Sequence, residues 1–168
     1  MKTSKASTLI VALIIVSSCA TDRKLVLDQP VGPSCPAEDS GKTEGWLLVH
    51  SAREVVDLVN SSHPTHSGYT LYTSDGRSLR RVRNLSGSFN EVPEAVALQA
   101  GTYKVEARAI NCGWVVLPVV VENGRTTIVY LDGEASPAEG EPGDWVRLPN
   151  GQRIGRRANT VADQQPSR

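Results

Sequence analysis

The sequence predicts an all-β protein: a single antiparallel β-sandwich of seven or eight short strands, between a flexible N-terminal tether and a flexible C-terminal tail. Three observations carry that expectation. Apolar and polar residues alternate with a period of two through the middle of the 168-residue chain, the pattern of strands wetted on one face. Gly, Asn and Asp turn signals recur about every 8–12 residues, as sandwiches require. Only Pro64, Pro93 and Pro118 of the ten prolines fall between Gly45 and Asp132, where the alternation lies.

The elements follow in order. Trp46–His50 reads as a strand, and Arg53–Asn60 fits either a strand or a short helix, with strand preferred. Gly68–Thr73 and Ser78–Arg83 flank Ser74-Asp75-Gly76-Arg77, a hairpin turn, and Val92–Leu98 is a further strand. Thr102–Ile110 sets Tyr103, Val105, Ala107 and Ala109 against Thr102, Lys104, Glu106 and Arg108 on the opposite face. Val115–Val121 and Thr126–Leu131 are β-branched runs joined by Glu122-Asn123-Gly124-Arg125, and Asn-Gly predicts a type I′ hairpin between them. Ala20–Glu44, with Pro30, Pro33 and Pro36, reads as a tether without a core. From Gly133 the chain returns to Pro, Gly and Glu and ends in a basic tail. The expected organisation is therefore residues 1–18, 19–44, 45–132 and 133–168: signal, tether, sandwich and tail.

Composition excludes several function classes. Eighteen basic residues balance eighteen acidic ones, which argues against a nucleic-acid partner and its phosphate-neutralising surface. Three cysteines are too few for a disulfide-dense miniprotein. No long-period repeat marks a solenoid or propeller.

Met1–Cys19 reads as an export signal: Lys2 and Lys5 precede an apolar run, Leu9–Val16, shorter than the about 20 residues a membrane-spanning helix needs. Val16-Ser17-Ser18-Cys19 resembles the bacterial lipoprotein box. That resemblance implies cleavage before Cys19, acylation of its thiol and new amine, and a membrane partner reached through the lipid. Ala20, where inner-membrane lipoproteins carry Asp, implies the outer membrane facing the periplasm. A plain secretory signal containing a cysteine is the competing reading. With Cys19 lipidated, Cys35 and Cys112 remain as a pair in an oxidising compartment, and a bridge between them is expected. It would close a loop of about 77 residues, for which chain entropy gives about 4–5 kcal/mol.

A second resemblance covers about half of the mature chain. Leu98-Gln99-Ala100-Gly101-Thr102-Tyr103-Lys104-Val105, Cys112-Gly113-Trp114, Val121-Glu122-Asn123-Gly124-Arg125-Thr126 and the Ser74–Arg77 turn resemble carboxypeptidase-regulatory-like and PEGA-type domains. These are small transthyretin-like β-sandwiches, and an immunoglobulin-like sandwich would suit the same residues. Arg53–His66 has no counterpart in them. The resemblance implies a non-enzymatic spacer or recognition module, with no catalytic residue to carry over.

Chemistry is sparse along the chain. No GxSxG, GxxxxGK[ST] or GxGxxG motif occurs. His50, His63 and His66 are the only histidines, and His63-Pro64-Thr65-His66 is expected to be a solvated loop. A small periplasmic enzyme or metal-binding protein using these three is the alternative, as is a triad drawn from His50, Asp57 and any Ser. Neither metal nor cofactor is otherwise called for. Arg77, Arg80, Arg81 and Arg83 surround one hairpin, with Arg81 and Arg83 on one strand face; they read as a solubilising edge or as a contact for acidic polymer. Trp145, Arg147 and Arg153 in the tail suit a segment that orders on a partner. The function expected is a membrane-anchored binding or assembly module for an envelope protein or glycan. A structural subunit of a secretion or motility apparatus is the remaining alternative.

Overall fold

The computed structural model describes residues 24–36, 43–58, 61–86, 92–134 and 144–158, with backbone only at 34–36, 56–58 and 61–63. The export signal and Cys19 lie outside the described residues. Within them the chain is all-β, with no helix and thirteen strands. These are β1 (Leu25–Val26), β2 (Pro33–Pro36), β3 (Glu44–His50), β4 (Arg53–Leu58), β5 (Ser61–His66), β6 (Tyr69–Thr73), β7 (Ser78–Val82), β8 (Val96–Gln99), β9 (Gly101–Ala109), β10 (Gly113–Val121), β11 (Arg125–Tyr130), β12 (Trp145–Arg147) and β13 (Arg153–Arg156).

Two larger sheets hold the core. One has the order β1-β10-β9-β6-β7 and the other β2-β11-β3-β8, while β4-β5 and β12-β13 are separate two-stranded ribbons. Alternation decides what each strand buries. In β10, Val115, Leu117, Val119 and Val121 are buried and the residues between them are not; in β3, Leu47 and Val49 are buried. Side chains from both sheets belong to one aliphatic cluster, which includes Leu71, Val105, Leu117, Leu47, Val96 and Val129.

The two turns with similar chemistry behave differently. Ser74-Asp75-Gly76-Arg77 closes a true hairpin, β6 against β7, with Gly76 at φ 90° and Thr73 exchanging hydrogen bonds with Arg77. Glu122-Asn123-Gly124-Arg125 does not join a paired ladder: β10 pairs with β9 and β1, whereas β11 pairs with β3 and β2. Gly124 takes a positive φ of 64° and Asn123 does not, so the expected type I′ geometry is not made. Turns other than I′ and II′ splay their flanking strands, and here the chain passes from one sheet to the other. β11 lies parallel to β3, with Tyr130 opposite His50.

The described parts of both expected loose segments, residues 24–36 and 144–158, are built into the body; residues 135–143 and 159–168 lie outside the described residues. Leu25 and Val26 run parallel to Val115 and Val116, and Val31, fully buried, bonds to Pro118 and Val120 of β10. On its other side Gly32 donates to Arg156 at 2.7 Å. The supposed tail returns as the β12–β13 ribbon and buries Val146, Leu148, Ile154 and Ala158. Gly155 is required there, since a Cβ would stand 2.4 Å from Val31 Cγ1 and 2.9 Å from the Ile128 carbonyl oxygen.

The expected Cys35–Cys112 bridge is not formed, and Cys112 is a free cysteine that accepts a hydrogen bond from Asn150. Cys35 stands opposite Thr126 near the start of β11, whereas Cys112 lies in the turn after Ile110, whose amide bonds to Leu131 beyond the other end of β11. At about 3.3 Å per residue those places are about 16 Å apart, beyond disulfide reach.

Candidate functional site

The ends of β3, β5 and β11 converge at one end of the body. His50 closes β3, and its alternation places it opposite the core face that Leu47 and Val49 occupy. Its register partner Tyr130 shares that outer face, and the two rings stack with centroids 5.2 Å apart. Asp132 stands two residues beyond Tyr130 with a wholly buried side chain, its Oδ2 3.8 Å from His50 Nδ1. Gly133, at φ 77°, turns the chain away; a Cβ there would meet Ile110 at 2.8 Å. Asp132 Oδ1 accepts the Glu134 amide at 3.3 Å.

His66 comes from β5, opposite Arg53 of β4, and only 2% of it is exposed. The solvated loop expected around His63–His66 is thus a strand that delivers a buried imidazole, because Ser67 bonds to Ala52 and folds the β4–β5 ribbon back. His66 Nδ1 lies 2.9 Å from the Ser51 carbonyl oxygen. A carbonyl only accepts, so Nδ1 is the donor in this contact, and Nε2 is the ring's other nitrogen. The His66 ring meets His50 edge-on at 5.5 Å. One nitrogen or oxygen from each of His50, His66 and Asp132 lies within 4.8 Å of the others.

A buried polar hub supports this end. Asn84, fully buried at φ 64°, donates to the Val49 and Ser67 carbonyls and to Ser51 Oγ, and accepts the Glu94 amide. Ser51 Oγ in turn donates to the Ser67 carbonyl, so it is committed to structure rather than poised as a nucleophile. Burial lowers the His50 pKa from its ordinary value; Asp132 pulls it back up, while His66 and Arg53 depress it further. Arg53 bonds Glu134 at 2.6 Å and lies 4.0 Å from Asp132 Oδ2.

The other residues singled out by sequence lie elsewhere. Asp57 belongs to β4, and it is Asp132 that stands beside His50. The side chains of His63 and Cys35 are outside the described residues. Arg81 on β7, the edge strand of the five-stranded sheet, and Arg77 and Arg83, which flank that strand, are exposed, and Arg80 is paired with Glu94 at 2.7 Å. Trp145 is held inside the ribbon, with Arg156 over its ring at 5.1 Å and Arg153 at 5.9 Å. Arg147 donates to the Gly151 carbonyl. The two arginine groups therefore sit at opposite edges, and the ribbon's polar side chains bond both within it and to the body, as Gln152 does to the Tyr130 carbonyl and Arg157 to Gln29. Sequence reasoning missed Asp132; the only signal was an Asp directly after a buried β-strand and before a glycine. No protein-family model, curated protein or solved structure matches this chain.

Proposed function

We propose that this protein is a bacterial envelope lipoprotein, anchored through Cys19, whose β-sandwich body serves as a non-enzymatic binding or assembly module for an envelope protein or glycan. The observation that carries the reading is the Val16-Ser17-Ser18-Cys19 box set a few residues before a folded body whose first described strand begins at Leu25. Acyl chains stabilise membrane attachment by about 0.8 kcal/mol per buried CH₂, so two or three make an effectively permanent anchor. The sandwich reading draws support from two sheets that share one core, although they hold nine strands, β1–β3 and β6–β11, rather than the seven or eight expected. Among the surfaces, the β7 edge with Arg81 and Arg83 is the one suited to carboxylate- or phosphate-bearing polymer.

The test is fractionation. Cys19→Ser should move the protein from membranes to the soluble fraction, and retention of that variant after a high-salt wash would overturn the lipoprotein reading. Replacing Arg81 and Arg83 together by Ala should lower co-sedimentation with purified anionic envelope glycan.

A further inference from the structure

We propose that His50, His66 and Asp132 bind a divalent first-row transition metal ion, zinc being the best match to two imidazoles and one carboxylate. The donor set is the kind zinc takes, and its atoms already stand within 4.8 Å of one another. Bonds of about 2.0–2.2 Å in a tetrahedral site place donors about 3.3–3.5 Å apart, so small side-chain rotations close the three onto an ion.

The surroundings favour the same reading. Metal-binding imidazoles characteristically donate their other N–H to a carbonyl or carboxylate, which fixes the ring and raises its basicity. His66 does this through Nδ1 to Ser51, and Asn84 holds Ser51 in turn. Asp132 places a carboxylate with 0% side-chain exposure beside two imidazoles, and burial makes a nearby cation favourable. Arg53 is the rival cation, yet its short contact, 2.6 Å, is to Glu134, and it reaches Asp132 only at 4.0 Å. His50, at 19% side-chain exposure, gives the site a path to solvent, and three protein ligands leave a fourth position for water or a small ligand. The site needs no lipid anchor, so it stands apart from the envelope reading.

The experiment uses the detergent-solubilised full chain, stripped with chelator and titrated with zinc by calorimetry and thermal melting. One zinc per chain and a rise in melting midpoint are expected. Asp132→Asn and His50→Gln should each weaken binding by at least about 100-fold, while His63→Gln leaves it unchanged. No uptake by the wild-type chain, or stoichiometric uptake that survives both ligand variants, would overturn the proposal. If those variants lose their circular dichroism spectrum, cobalt substitution of the wild-type chain decides. Visible bands without a thiolate charge-transfer band support the site, whereas a thiolate band would put the ion on cysteine and sink it.

Discussion

The central block, from β3 to β11, and the two segments that flank it share one core but reach it by different means. Among the central strands β3, β6, β9, β10 and β11 bury alternate residues, along ladders of up to nine pairs, β9 on β10 being the longest. The flanks bury isolated side chains: Val31 between β10 and the C-terminal ribbon, then Val146, Leu148, Ile154 and Ala158. Alternation thus marks strands whose burial is periodic. It is blind to a chain that contributes one apolar side chain at a time and satisfies its backbone against whatever lies alongside. Polar, Pro- and Gly-rich composition did not keep these flanks out of the fold.

That comparison can be broken by experiment. Ending the chain after Glu134 removes four buried apolar side chains and uncovers Val31. At about 1.5–3 kcal/mol for each large one, the loss should lower the melting midpoint by more than about 10 °C or abolish cooperative unfolding. An unchanged midpoint would return the ribbon to the status of a tail. Ile154→Ala should cost about 2–5 kcal/mol in urea unfolding with an unaltered m-value, as for a central core residue.

Within the central block the most sensitive polar position should be Asn84. Asn84→Ala forfeits the buried amide bonds and puts at positive φ a residue that tolerates it less well than Asn, costing about 2–3 kcal/mol; Asn84→Gly should recover the backbone share. The smallest effect belongs to Leu79, which lies in the central block but is 50% exposed. Leu79→Ala should stay within about 0.5 kcal/mol, so that membership of the alternating block, without burial, carries no stability.

Strand identity was legible from sequence where burial is periodic: β3, β6 and β9–β11 stand where alternation puts them, whereas β8 begins at Val96 rather than Val92, and β4 resolves a stretch that fitted either a strand or a short helix. Pairing was less so. Asn123-Gly124 announces a reversal of the chain but not the neighbour that receives β11, because that choice rests on Thr127, Val129 and Leu131 finding the shared core beside β3. The histidine site was the least legible part. The local HxxH spacing drew attention to His63, whereas the grouping observed joins His50 and His66 to Asp132, three segments brought together only by the parallel pairing of β3 with β11 and the fold-back of β5. Nothing local to any of the three records that meeting.

The early entry of the chain into β1 also sets a stand-off distance. Five residue steps separate Cys19 from Lys24, and a fully extended chain covers at most about 18 Å in that span. Leu25 stands beside Val115, two residues from the start of β10, at the same end of the body as His50, Arg53 and Arg108. With Cys19 acylated, that end would be held against the headgroups rather than raised above them. The opposite end, with Gln99, Glu122 and Arg125, would then point away from the bilayer.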